Sequence, residues 1–289
     1  MRRVLAWTIA AGALAGCSLF VSLDDLSGGA LDGDSGTVDA ADAGLPFDAS
    51  GDAQESDAGD ASTQTYEEAV LSDSPVAYWR LGDPGPVAFD KTSNHVDGTY
   101  NSAATPGHAG LITQDSDTAV AVIDGFDGGT ITIPANALLE PVNALTVEVW
   151  FRPGGSTAIG EIVSYGPQLT PPFQPWDLQI NQNGAIRSIL FYTASVGTLE
   201  STTNIEAGQT YYVAGTYDGF NLRLYVNGAL DATGGNTGAL GNYDHEAGLG
   251  IGSGFLGAFP FTGVVDEVAV YDHVLSPERI AAHYAAGAH

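Results

Sequence analysis

The chain has 289 residues, with 35 acidic side chains against 8 basic ones and a formal net charge of −27. Binding a phosphate backbone or an anionic lipid surface needs clustered Lys and Arg, so nucleic acid and electrostatic membrane docking are excluded as partners. One cysteine leaves no intrachain disulfide.

Residues 1–16 have the layout of an export signal. Arg2 and Arg3 precede an apolar run from Val4 to Ala15 that ends in small residues and is too short to span a bilayer. Leu14-Ala15-Gly16-Cys17 resembles the lipobox of bacterial lipoproteins. That resemblance implies cleavage before Cys17, acylation of its thiol and its new amine, and membrane contact through lipid alone. Ser18 in place of Asp is similar to the outer-membrane class, which implies an exported, surface-anchored protein. Secretion with an incidental cysteine is the alternative.

Residues 17–64 read as a tether. Cys17 to Thr65 holds 11 acids and no Lys, Arg or His, in a background of Ala, Gly, Ser and Thr. Such a segment buries too little apolar surface to offset its ordering entropy, and its like charges extend it.

The folded domain is expected over 65–289. It opens on a short helix, with Thr65 and Glu68 at capping-box spacing and Ser74-Pro75 as its stop. Period-two alternation then predicts strands at Val76–Leu81, Ala119–Ile123, Thr130–Ile133, Leu145–Arg152, Ile159–Tyr165, Trp176–Ile180 and Ile186–Tyr192. A hairpin follows, Tyr211–Tyr217 and Leu222–Val226, with Asp218-Gly219 and Asn227-Gly228 suited to type I′ turns. Gly248–Ile251 and Val264–Tyr271 close the sheets. A last helix starts at Ser276-Pro277-Glu278, with Gly287 just past its end. Many short strands and little helix predict an all-β fold, a two-sheet antiparallel jelly-roll sandwich with a short opening helix and one C-terminal helix.

Pro75-Val76-Ala77-Tyr78-Trp79-Arg80-Leu81, Asp97-Gly98-Thr99-Tyr100, Leu145-Thr146-Val147-Glu148-Val149-Trp150, Tyr225-Val226-Asn227-Gly228 and Phe261-Thr262-Gly263-Val264-Val265-Asp266-Glu267-Val268 occur in that order. Together they resemble the laminin G-like, pentraxin-related branch of the concanavalin A superfamily. The resemblance implies the sandwich. It does not choose among lectins, adhesion modules, glucanases and spacers, all built on this fold.

Glucanases of this fold carry E-x-D-x-E or E-x-D-x-x-E on one strand, and this chain has neither. Glu148 stands alone, and Asp266 and Glu267, being adjacent, are expected to face opposite ways. The expectation is therefore no enzyme. Asp90, Asn94, Asp97 and Asp266 are candidate ligands for a structural calcium, the alternative being an Asx-rich turn. The carboxylate-free stretch Gly252–Pro260 does not carry a pentraxin calcium site. Phe173 and Trp176 in a proline-rich loop, with Tyr165 and Tyr192, are candidates for stacking on a ligand, although Trp176 has the alternative of pointing into the core. The histidines show no metal spacing. Three functions stay open: a module binding extracellular glycan or protein, a passive surface domain, and a degenerate glucanase.

Overall fold

The structure is a computed structural model that describes residues 64–102, 104–123, 131–155, 159–166, 175–183, 186–193, 196–235, 238–241, 243, 245–255 and 257–288. The signal segment, Cys17, all of the tether but Gln64, and Phe173 lie outside these residues.

Helix α1 covers Tyr66–Ser72. Its predicted capping box forms, with Thr65 N–H donating to Glu68 Oε2 at 3.0 Å and Glu68 N–H to Thr65 Oγ1 at 3.2 Å. The strands run β1 Ala77–Trp79, β2 Val87–Ala88, β3 Gly98–Tyr100, β4 Ala104–Ala109, β5 Thr118–Val122 and β6 Ile131–Ile133. They continue as β7 Leu145–Pro153, β8 Ile159–Tyr165, β9 Trp176–Asn183, β10 Ile186–Thr193 and β11 Gly197–Glu200. Then come β12 Tyr211–Tyr217, β13 Leu222–Val226, β14 Ala229–Gly234, β15 Leu249–Ile251, β16 Gly263–Tyr271 and helix α2, Pro277–Ala288.

Sheet one has the order β14-β13-β12-β7-β16-β5-β4, with β1 also paired to β16. Sheet two has the order β11-β10-β9-β8-β15-β6-β3-β2. All the pairings are antiparallel, as the jelly-roll expectation requires.

Alternation decides which face meets which. Val147, Val149 and Phe151 of β7, Val213 of β12 and Leu224 of β13 pack with Leu178, Ile180, Ile189 and Phe191 of sheet two in one buried core. A Cβ added to Gly215 would lie 2.9 Å from the Phe191 ring, so the sheets are in close contact there. One edge is closed by Asp231 of β14, whose carboxylate accepts Thr202 N–H at 2.6 Å and Thr203 N–H at 3.2 Å.

The Asn227-Gly228 turn has positive φ at both residues, 50° and 77°, as a type I′ turn demands. The Asp218-Gly219 expectation needs correction. The connection is four residues long, Asp218–Asn221, because the Asp218 carboxylate caps it by accepting Phe220 and Asn221 N–H at 2.9 and 2.7 Å.

The outer face of sheet one is covered. Trp150, Tyr212, Tyr225 and Tyr271 point out of the sheet and are buried with Tyr66 and Val70 of α1 and Ile280 of α2. Trp150 stacks on Tyr284 at 5.7 Å and meets Tyr66 edge-on at 6.0 Å. Gly287 lies inside α2 and not beyond its end. A Cβ there would stand 2.5 Å from Trp150, so glycine serves close approach rather than termination.

Beneath the helices lies Glu148, fully buried. It accepts the Tyr212 hydroxyl at 2.5 Å and the Tyr271 hydroxyl at 2.9 Å, and pairs with His283 Nδ1 at 3.0 Å. The other nitrogen, His283 Nε2, reaches Asp73 at the end of α1 at 2.9 Å. Arg279 adds a second tie to Asp73 at 2.7 Å. Burial pulls the His283 pKa down, but the Glu148 and Asp73 carboxylates more than offset it, and the net shift is upward.

A second anchor sits at Asp90, which is 6% exposed. Its carboxylate accepts Tyr78 N–H at 3.0 Å, Thr92 N–H at 2.9 Å, Thr92 Oγ1–H at 2.8 Å and Val96 N–H at 2.9 Å. Asp97 Oδ1 in turn accepts the Asp90 N–H at 2.9 Å. These bonds tie the turn to β1.

Two outcomes follow. The His283 bridge contributes fully below the ordinary histidine value of about 6.5 and is lost as pH rises through its higher folded value. The melting midpoint should fall as pH rises above about 6.5, and the fall should be shallower in His283→Gln. Removing one partner of a buried pair costs about 3–5 kcal/mol, so His283→Gln should also melt roughly 6–20 °C lower at pH 6. Asp90→Ala strands two buried N–H groups and should cost about 2–4 kcal/mol, read equally in calcium and in chelator.

Candidate functional site

The outer face of sheet two carries no helix among the described residues, and it is built of polar rows. On β9 the side chains of Trp176, Leu178 and Ile180 enter the core, so Asp177, Gln179 and Asn181 face outward. Register then places their neighbours. Ser164 of β8, Asp177, Tyr192 of β10 and Thr198 of β11 form one row. Glu161, Gln179, Leu190 and Glu200 form the next. Ile159, Asn181 and Ser188 form a third.

Glu161 and Ser164 are three residues apart, which would put them on opposite faces of a regular strand. The β8–β9 register shifts between Glu161 and Val163, and this bulge turns both outward while Ile162 and Val163 stay in the core. Glu161, Ser164 and Asp177 are fully buried at the β8 end. The loop after β15 covers them there: a Cβ on Gly254 would lie 2.7 Å from Glu161 Oε2, and one on Gly250 would lie 2.3 Å from the Ser253 carbonyl. Toward β11 the face opens. Gln179, Leu190 and Tyr192 are partly exposed, and Thr198 and Glu200 exposed. Burial, then the charge of Asp177 paired with it across the strands, raises the Tyr192 pKa. Ser188 Oγ–H donates to Glu200 Oε1 at 2.5 Å.

Of the aromatic candidates, Tyr192 lies on this face. Trp176 and Tyr165 do not. Both are fully buried in the inter-sheet core, stacked on each other at 6.1 Å, and neither offers a ring to a ligand. For Trp176 the core alternative holds, because its β9 position has inward parity. Phe173 falls outside the described residues.

The calcium candidates do not come together as a shell. The four donors on Asp90 take the roughly four lone-pair sites of a carboxylate. Asn94 Nδ2 donates to the Val76 carbonyl at 2.9 Å, and Asp266 Oδ2 accepts Leu111 N–H at 2.8 Å. Among the described residues no three His, Cys, Asp or Glu side chains gather as metal ligands. The geometry around Asp90 is that of the Asx-rich turn.

Asp266 and Glu267 require a correction, because they face the same side. β16 bulges between Asp266 and Ala269, with Glu267 at φ 53°, so the adjacent side chains both turn outward from sheet one. Glu267 accepts two N–H groups of Arg80 at 3.0 Å and the Tyr78 hydroxyl. Burial raises both carboxyls. Arg80 and Tyr78 pull Glu267 back, whereas the Glu267 charge pushes Asp266 further up. Arg80 also pairs with Glu67 at 3.0 Å, Asp117 at 3.1 Å and Asp115. A hollow of about 600 Å³ lies above this cluster, between α1 and the end of α2. The Arg80 guanidinium in its wall is already committed to these carboxylates.

Sequence reasoning missed the Glu148–His283 bridge and the Glu161–Ser164 pair. The first needs a contact across 135 positions, and the second needs a bulge that alternation hides.

No curated protein matches the chain. Among solved structures it is similar to domain 4 of AbnA, a GH43 extracellular arabinanase from Geobacillus stearothermophilus, solved with arabinotriose. That match has 19% identity and a TM-score of 0.52, and covers 73% of this chain and 98% of that one. Trypanosoma rangeli sialidase matches at 17% identity and a TM-score of 0.53, over 72% of this chain and 32% of the sialidase. The binding domain of Paraclostridial Mosquitocidal Protein 1 matches at 11% identity and a TM-score of 0.56, over 74% of this chain and 52% of that one. At these identities the likeness is one of fold. A family model matches residues 124–281, and with the two-sheet architecture it shows that the chain belongs to the concanavalin A-like lectin/glucanases superfamily.

Proposed function

We propose that this protein is a non-catalytic recognition module that binds an extracellular glycan and is held at a membrane surface by lipid on Cys17. One observation carries the reading. The face of sheet two that no helix covers among the described residues presents a partly exposed tyrosine, an amide and a leucine, with the exposed Glu200 carboxylate, in aligned rows. Saccharides are bound by this combination of flat apolar contact and convergent hydrogen-bonding groups. The arabinanase domain, spanned almost end to end by this fold, was solved with arabinotriose. The lack of a strand-borne carboxylate triplet in the sequence supports binding without hydrolysis. The rival reading, a passive surface domain, is favoured by the loss of Trp176 and Tyr165 to the core.

The test is a glycan array followed by calorimetry on the full chain, with and without calcium. At least one oligosaccharide should bind, and Tyr192→Ala should weaken it about fivefold or more, the size of a contact above 1 kcal/mol. Its melting midpoint should stay within about 2 °C of the parent, since Tyr192 lies on the outer face of the sheet and outside the inter-sheet core. A wholly negative array would favour the passive domain. The anchor is tested separately: Cys17→Ala should move the protein from the membrane to the soluble fraction and abolish palmitate labelling.

A further inference from the structure

We propose that α1 is a proton-operated latch: it stays seated on sheet one while His283 carries both ring protons, and its last turn opens locally when one of them leaves. The surroundings of the ring carry this inference. Nδ1 faces the two Glu148 oxygens at 3.2 and 3.0 Å, and Nε2 faces the Ala69 carbonyl at 3.2 Å and Asp73 Oδ2 at 2.9 Å. Carboxylate and carbonyl oxygens accept and do not donate. A neutral imidazole has one N–H and one lone pair, so it satisfies one side of this arrangement, whereas the doubly protonated ring satisfies both. The ring is fully buried, which shuts out bulk solvent as a substitute donor.

The two sides are not equivalent. Glu148 has no exposed surface and is tied to β12 and β16 through Tyr212 and Tyr271. Asp73 is the C-cap of α1, its side chain is 17% exposed, and it keeps the Arg279 guanidinium as a donor. The single remaining proton is therefore least costly on Nδ1, against Glu148. Nε2 is the nitrogen left bare, and its lone pair then points at a carboxylate and a carbonyl of α1. The repulsion falls on the helix and not on the sheet. Seven residues are too few to stay helical without packing, and the buried side chains of α1 are Tyr66, Ala69 and Val70.

The other groups around the ring do not share its titration. Tyr66 of α1 meets the ring edge-on at 6.3 Å, and Tyr212 of β12 and Tyr271 of β16 donate to Glu148. Burial, then the Glu148 charge, holds all three phenols well above the usual tyrosine value, so they stay neutral. Asp266 and Glu267 of β16 add to that effect on Tyr66. Burial and the Arg279 charge oppose the second ring proton, and Glu148 and Asp73 outweigh them. The latch is thus complete below about pH 6.5 and is lost as pH rises through the raised folded value.

The experiment uses the full chain. Nitrogen-15 spectra of the His283 ring locate its titration, and amide hydrogen exchange is followed on both sides of it, each rate divided by the intrinsic rate at that pH. The ring should be protonated on both nitrogens at about pH 6 and keep the Nδ1 proton at the higher pH. Protection of the amides of residues 70–73 should fall roughly tenfold or more across the titration, the size of a lost charge-assisted hydrogen bond. Their exchange should be insensitive to dilute denaturant, the mark of local opening, while amides of β7 and β12 show the steep dependence of global unfolding. His283→Gln should leave α1 loose on both sides of the titration. Asp73→Asn, at a partly exposed position away from Glu148, should move the loosening to lower pH, and it carries the test if His283→Gln fails to fold. Exchange of α1 at the rates and denaturant dependence of β7 overturns the latch, because α1 then opens only with the whole domain. A ring with one proton at about pH 6, or one that keeps its Nε2 proton at higher pH, overturns it too.

Discussion

A carboxylate removed from water has to be compensated, and Glu148 is compensated by side chains from three other elements. Tyr212 comes from β12, Tyr271 from β16 and His283 from α2. Because the histidine continues to Asp73, the same chain of contacts fixes α1 beside α2. Breaking it leaves a buried charge with too few donors, which is costlier than losing apolar contact of similar size. The placement of the helices depends on it, and so does the division of labour between the sheets. With α1 and α2 seated on Trp150, Tyr212 and Tyr271, the outer face of sheet one is spent on stability. Sheet two keeps an outer face on which polar rows stay partly open.

Both functional groupings of acids owe their geometry to a single extra residue. On β8 the bulge brings Glu161 to the side of Ser164, and on β16 it brings Glu267 to the side of Asp266. Without them, parity would send one member of each pair into the apolar core. The two outcomes differ in neighbours. Glu267 is met by Arg80 and Tyr78 and becomes a structural tie between β16 and β1. Glu161 belongs to a face whose rows open toward β11.

Much of this was readable in the sequence, and for identifiable reasons. β7, β12, β13 and β16 are long, alternate cleanly or run apolar, and appear at the expected positions. The capping box and the Asn227-Gly228 turn were legible because their chemistry is local. The strands β2, β3, β4, β11 and β14 were not read as strands. They are short or lie at sheet edges, and β4 contains Pro106 and Gly107, which read as loop and here mark an edge with a register shift. Gly287 was misread because its reason is Trp150, more than a hundred residues away. The site was less legible than the fold. Of the candidate rings Tyr192 lies outward, while Trp176, for which both a ligand-facing and a core reading were open, is turned inward by its strand position.

The capping box at Thr65 sets where the chain joins the domain, which is the helix-covered side. Traction applied from that end is taken up by α1, passes through Asp73 to Arg279 and His283, and reaches sheet one through Glu148. The rows around Tyr192 lie beyond that route, on the far side of the inter-sheet core. Force applied at Thr65 would strain the two helices first and leave the geometry of the opposite face intact.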